Sequence, residues 1–221
     1  MFFEPTTTFQ VWWIKSIRVR PHASHRWNHC RQNVVCVVVL IWHSSQHRSL
    51  KRNVQSSFMA DGPRWEGKAT AKVLSLSAEA AWSFLEDFCN FHKWFPAIDT
   101  CRRIEGVDGR PGLVRYCAAT LPPPSEGVVK WCHERLLAMD PIGRSLSYEV
   151  LENNIGIKRY TSTMRVTAIN GGDGVSGCQI EWSFLGDPVE GLTREEWVAY
   201  LDSGLQGTVR NMEDQAHFTT L

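Results

Sequence analysis

The sequence predicts an α+β fold: a curved antiparallel sheet of about seven strands wrapped around one long C-terminal helix, with an apolar cavity between them. Three observations predict it. From Trp65 onward, seven short segments have strand character, and the first alternates apolar and polar residues with period two. The last six follow one another through short connectors rich in Gly, Pro, Asn and Asp, which implies antiparallel pairing. The chain then ends in a long stretch of helical periodicity that opens on a strong start signal.

Taken in order, Trp65, Gly67, Ala69, Ala71 and Val73 point one way along a strand over 65–74, and Glu66, Lys68, Thr70 and Lys72 point the other. Ser77 can cap a short helix whose apolar positions are Ala81, Trp82, Leu85 and Phe88. A second helical piece is expected over 90–95 and must end at Pro96, since the residue before a proline is pushed out of the helical region. Strands are expected at 100–105, 113–119, 128–140, 145–151, 157–169 and 178–184. Between them lie Val-Asp-Gly-Arg-Pro-Gly, Leu-Pro-Pro-Pro-Ser-Glu-Gly, Asp-Pro-Ile-Gly, Asn-Asn-Ile-Gly and Asn-Gly-Gly-Asp-Gly. The last helix is expected over about 194–215. Thr193 and Glu196 make a capping box, and Leu192 with Trp197 a hydrophobic staple. Trp197, Leu201, Leu205 and Met212 share one stripe, while Gly204 and Gly207 lower the helix propensity.

Charge is distributed unevenly. The 221 residues sum to +1. Residues 1–58 carry eight Lys or Arg and only one acid, Glu4, so the remainder has a net charge of −6. An acidic body argues against nucleic acid as a partner, which needs clustered cations. The Trp set in the body (Trp82, Trp131, Trp182) is accordingly expected in the wall or core and not as a base-stacking platform. The seven cysteines include no Cys-x-x-Cys and no pair at zinc spacing, so no metal site is expected and the thiols are read as free, in a reducing compartment. Val34–Trp42, the longest apolar run, has nine residues, too few to span a bilayer.

Residues 1–58 hold four of the ten Trp and five of the eight His without sustained periodicity. They are expected to be a disordered basic extension, lying upstream of a natural start at Met59 or resembling a transit peptide, with the folded domain over 59–221. The cytoplasm is the expected location, with organelle targeting by residues 1–58 as the alternative.

Period-two geometry and the turn positions bring four polar residues together. With the first loop centred near 124–125, Arg115 stands opposite Glu134; turns centred near 141 and 154 put Tyr148 opposite Glu134 and Tyr160 opposite Tyr148. The plain reading is a cross-strand Arg–Glu pair on a wet face, worth a few tenths of a kcal/mol. The residues flanking them at every second position are Cys, Leu, Ala and Val, and a carboxylate on an apolar face must pair or shift its pKa upward. That combination suits acid–base chemistry. Trp131, Cys132 and Met164, neighbours on the same strands, are expected to join Tyr148 and Tyr160 in binding a ligand.

Over residues 65–215 the chain resembles the lachrymatory-factor synthase-like proteins of plants, within the START-like, birch-pollen-allergen-like helix-grip (polyketide cyclase-like) superfamily. The stretches that carry the resemblance include Asn90-Phe91-His92-Lys93-Trp94-Phe95-Pro96, Val114-Arg115-Tyr116, Trp131-Cys132-His133-Glu134-Arg135-Leu136, Tyr160-Thr161-Ser162-Thr163-Met164, Trp182-Ser183-Phe184 and Val189-Glu190-Gly191-Leu192-Thr193. The resemblance implies a cofactor-free isomerisation of a sulfenic acid to a thial S-oxide. It implies that Arg115 holds the sulfenate oxygen, that Glu134 moves the proton, and that Tyr148 and Tyr160 orient the ligand. The proline-rich loop at 121–124 and the charges of the first helix depart from the pattern.

The same superfamily contains abscisic-acid receptors and carriers of lipids or small apolar metabolites. The receptor gate is partly kept in Ala119-Thr120-Leu121-Pro122, but the latch hairpin Asn154-Ile155-Gly156-Ile157-Lys158 lacks the receptors' His-Arg-Leu. The resemblance therefore implies an isomerase, with a non-catalytic carrier as the rival and a hormone receptor disfavoured.

Overall fold

The computed structural model describes residues 62–121, 127–170 and 176–219. The extension assigned to 1–58, the start at Met59 and the prolines after Leu121 lie outside the described residues. The chain runs β1 (Trp65–Val73), α1 (Ala78–Leu85), a 3-10 helix (Phe88–Lys93), β2 (Thr100–Glu105), β3 (Val114–Thr120), β4 (Val129–Asp140), β5 (Ser145–Asn153), β6 (Thr161–Asn170), β7 (Ser176–Gly186) and α2 (Arg194–Thr219). The seven strands form one antiparallel sheet in the order β1-β7-β6-β5-β4-β3-β2. Each strand from β2 to β7 pairs with the next in sequence, and β1 crosses over to pair with β7. This is the α+β helix-grip fold expected from the sequence.

Burial follows the predicted faces. In β1, Ala69, Ala71 and Val73 are buried while Lys68, Thr70 and Lys72 are exposed. In α2, Trp197, Leu201, Leu205, Val209 and Met212 form the buried stripe. The helix starts where the capping box places it: Thr193 Oγ1 accepts from the Glu196 N–H at 3.2 Å, and the Glu196 carboxylate accepts from the Thr193 N–H at 2.8 Å. Those bonds from Thr193 hold the Glu196 carboxyl below its usual pKa.

Polar tethers seat α2 on the rest of the molecule, among them three from helix side chains to backbone carbonyls. Arg194 Nε donates to the Glu66 carbonyl at 2.8 Å, Gln206 Nε2 to the Thr70 carbonyl at 3.2 Å, and Asn211 Nδ2 to the Trp94 carbonyl at 2.7 Å. Gly204 has a packing reason that outweighs its poor propensity. A Cβ there would lie 2.4 Å from Phe95 Cε2, so the glycine lets the segment after the 3-10 helix press against α2.

Several element ends extend past expectation, α2 to Thr219 among them, and three departures bear on the site. The second helical piece is a 3-10 helix that starts at Phe88, two residues earlier than expected, and stops before Pro96. Strand β6 starts at Thr161 and not at Ile157. The Asn153 side chain is the cause: its Oδ1 accepts from the N–H groups of Ile155, Gly156 and Ile157, and its Nδ2 donates to the Ile157 carbonyl, so this stretch closes on itself and leaves the ladder. Thirdly, β4 shifts register against β5 between Cys132 and Glu134 and again between Leu136 and Ala138. Past the second irregularity the alternation of Cys132, Glu134 and Leu136 lapses: Ala138, next on that face by period two, is exposed and Met139 is partly buried.

An apolar cavity with a buried ion pair

Between β3–β5 and α2 lies a cavity of about 120 Å³. Phe91, Phe95 and Ile98 close one side, and Trp197, Tyr200 and Leu201 of α2 cover another. Trp182, Val150, Ile155 and Ile157 add apolar wall.

Arg115 and Glu134 meet in this cavity. They are Cα partners across β3 and β4, as the turn position predicts. Arg115 is 3% exposed and Glu134 8%. Arg115 Nε donates to Glu134 Oε2 at 2.7 Å, and Nη2 lies 2.6 Å from the same oxygen. Nη1 donates to the Phe88 carbonyl, at the start of the 3-10 helix. The Phe88 ring covers the guanidinium at 3.7 Å, with Phe91 and Tyr148 at 5.3 and 5.4 Å. Burial is the largest single influence and works against the Arg115 charge, but Glu134 together with Cys117, Cys101 and Tyr148 outweighs it and keeps the guanidinium pKa well above its usual range. The hydrogen bonds to the Glu134 carboxylate from Arg115 and from the Cys117 thiol all fall on Oε2. Among the described residues, Oε1 is therefore the oxygen left for a ligand in the cavity.

Tyr148 and Tyr160 also line the cavity, but the straight lateral row is corrected. Tyr148 pairs with Leu136 and Ser162, while Glu134 faces Val150. The Val150 N–H donates to the Tyr160 carbonyl at 3.0 Å, so Val150, not Tyr148, stands between Glu134 and Tyr160. The register shift in β4 and the displaced start of β6 move Tyr148 one step along the strand, on the same face. Burial pushes the pKa of both phenols up, so both stay neutral hydrogen-bonding groups.

The three remaining predicted binding residues are placed differently. Cys132 is buried and lines the cavity. Trp131 borders it, but the indole stacks on Tyr116 at 6.1 Å and packs against His133 at 5.1 Å, residues of the opposite strand face. Met164 is buried between its strand partners Leu146 and Trp182, and is not among the cavity-lining residues.

Ser162 acquires a structural role that sequence reasoning did not give it. Its hydroxyl donates to the Ser183 carbonyl and accepts from Trp182 Nε1, both at 2.7 Å. A serine on the Tyr160 face of an apolar strand was the available signal. The Phe88 carbonyl and ring at Arg115 left no such signal, because residues 27 positions apart meet only through the tertiary fold.

The fold and the cavity define a class: a helix-grip protein that encloses a small-molecule pocket. Over residues 66–217 the chain matches the family described as polyketide cyclase / dehydrase and lipid transport, and it belongs to that family. Solved structures agree on the fold. Ginseng major latex-like protein 151 from Panax ginseng matches with a TM-score of 0.55 at 16% identity, over 70% of this chain and 98% of that one. The protein XoxI from Bacillus cereus matches with a TM-score of 0.53 at 20% identity, over 68% and 94%. An uncharacterised protein from Bacillus thuringiensis matches with a TM-score of 0.52 at 21% identity, over 66% and 98%. Among the described residues no helix is long and apolar enough to cross a membrane.

Proposed function

We propose that this protein is a small-molecule isomerase of the lachrymatory-factor synthase type, acting on a small sulfenic acid by proton transfer without a cofactor. One observation carries the reading: a buried Arg–Glu pair stands in an apolar cavity with one carboxylate oxygen left over for a ligand. In this reading the sulfenic O–H donates to Glu134 Oε1. The carboxylate takes the proton and returns it to carbon as the double bond shifts toward sulfur. Arg115 stabilises the oxygen that becomes anionic, a role favoured by low dielectric and a fixed guanidinium. Tyr148 and Tyr160, held neutral, donate to the ligand and do not compete for the proton.

Cavity size supports a small ligand. A cavity of about 150 Å³ accommodates benzene. A cavity of about 120 Å³ therefore suits a ligand of about five or six heavy atoms, and a long-chain lipid far exceeds it.

The test uses the purified protein beside a Glu134→Gln variant. A lyase generates alkenyl sulfenic acid in situ, and thial S-oxide is quantified against the thiosulfinate that forms spontaneously. Thial S-oxide from the wild type alone is the expected result. Equal product from both would sink the role of Glu134. No product from either would leave a non-catalytic carrier of small apolar metabolites as the reading to pursue.

A further inference from the structure

Proton transfer leaves a second group of reactive side chains in the cavity wall unused. Cys101 on β2, Cys117 on β3 and Cys132 on β4 are successive cross-strand partners, Cys101 with Cys117 and Cys117 with Cys132. All three are buried, in a cluster edged by Ile98, Val150 and Ile155. Cys117 and Cys132 line the cavity, whereas Cys101 stands behind Cys117. The Cys101 and Cys117 sulfurs are 3.2 Å apart, and Cys117 Sγ lies 3.8 Å from Glu134 Oε2. Directly opposed residues of antiparallel strands have Cα atoms about 4.5–5.5 Å apart, within the span a disulfide bridges.

We propose that Cys117 and Cys101 form a second reactive centre in this cavity, in which Cys117 captures a small sulfur electrophile as a mixed disulfide and Cys101 resolves it to an internal Cys101–Cys117 disulfide. The placement divides the roles. Cys117 meets the ligand and has a carboxylate oxygen beside its thiol to accept the proton. Cys101, shielded from the cavity, has the Cys117 sulfur at 3.2 Å and the Phe88 carbonyl at 3.7 Å, so Cys117 is the thiol within its reach. Burial keeps large thiol reagents out of contact with either, while a molecule of five or six heavy atoms enters the cavity.

The chemistry balances without a further reductant. With a sulfenic acid, the Cys117 sulfur bonds to the ligand sulfur, the ligand S–O bond breaks, and the hydroxide leaves as water with the Cys117 proton. The Cys101 sulfur then attacks Cys117, the mixed S–S bond breaks, and the ligand departs as a thiol with the Cys101 proton. The ligand sulfur is reduced by two electrons and the two cysteines are oxidised. This centre deepens the sulfenic acid reading by adding a second fate for the same ligand, but its test does not depend on that reading.

The probe is methyl methanethiosulfonate, a sulfur electrophile of the right size whose leaving group is methanesulfinate. The full-length protein is treated in its native state, quenched, alkylated under denaturing conditions, and analysed by intact mass and peptide mapping. The wild type is expected to lose two hydrogens in a Cys101–Cys117 disulfide and to release methanethiol. Cys101→Ala is expected to stop at a methylthio adduct on Cys117, and Cys132→Ala to form the same internal disulfide as the wild type. Circular dichroism establishes that each variant is folded. The proposal is overturned if Cys117 stays unmodified in the native protein, if wild type accumulates the adduct without resolving it, or if the bridge maps to Cys117 and Cys132. The thial S-oxide assay shares no readout with these measurements, so either reading can fail alone.

Discussion

At the residue scale, the Arg115–Glu134 pair is a determinant of stability and the centre of the proposed chemistry. Two opposite charges in a dry wall are tolerable only together, since each offsets the desolvation of the other. Replacing Arg115 by Met leaves the Glu134 carboxylate buried and unpaired, which is expected to cost about 3–5 kcal/mol. The double change Arg115→Met with Glu134→Leu is expected to recover most of that loss. Urea denaturation of the two variants checks this, and equal destabilisation of both would show that lost packing dominates over charge. This pair was legible from the sequence because one hairpin centre and strict alternation are enough to place it. Tyr148 was legible only to its face. Its lateral position depends on the irregularities in β4, and no residue there announces them.

At the element scale, α2 is stabilised by a cap that the sequence specifies and by a contact that it does not. Thr193→Ala removes the Oγ1 acceptor of the Glu196 N–H and is expected to cost about 1 kcal/mol. Gly204→Ala separates propensity from packing. Propensity alone favours alanine in a helix by about 1 kcal/mol. The added Cβ would instead meet Phe95, which is buried, stacked on Phe91 at 5.3 Å and set edge-on to Trp182 at 5.4 Å. Net destabilisation of about 1–3 kcal/mol is expected, read as a lower urea midpoint at unchanged slope. A stabilised Gly204→Ala protein would mean that Phe95 yields easily and that the cavity beside it is soft. The displaced start of β6 belongs to this scale too. The alternating pattern runs from Tyr160 through Met164 and Val166, and nothing in the residues before it stops a strand from starting at Ile157, but one asparagine side chain satisfies three backbone donors locally, and the ladder cannot form where its donors are already used.

At the scale of the whole molecule, the buried neutral groups set an alkaline limit. Burial raises Tyr148 and Tyr160 above their ordinary value near 10, and the contact with Cys117 together with burial raises Cys101 above 9.0. Each of these groups keeps its proton in the folded state after the unfolded chain has lost it. Their contribution is therefore fully present below the unfolded values and is lost as pH rises toward the folded ones. Stability is expected to hold through neutral pH, to begin falling near pH 9 and to fall more steeply above 10. The slope is up to about 1.4 kcal/mol per pH unit for each group. Denaturation midpoints measured across this range check the sign. A midpoint that stays flat to pH 11 would mean that the cavity admits enough water to solvate the phenolates and thiolate.

The sequence by itself determined the architecture and the partners of the ion pair. Strand alternation, turn residues and a capping box are local signals, read within a few positions of where they act. They place every strand of the sheet and the start of the long helix. Only the tertiary structure decided what surrounds the pair: the Phe88 carbonyl and ring on Arg115, the stepped positions of the two tyrosines, the three aligned thiols and the close approach of Phe95 to Gly204. Each of these joins segments far apart in the chain, or depends on a one-residue slip in a ladder. Their distances are set by how the sheet curves around the helix, and no short window of sequence contains that curvature.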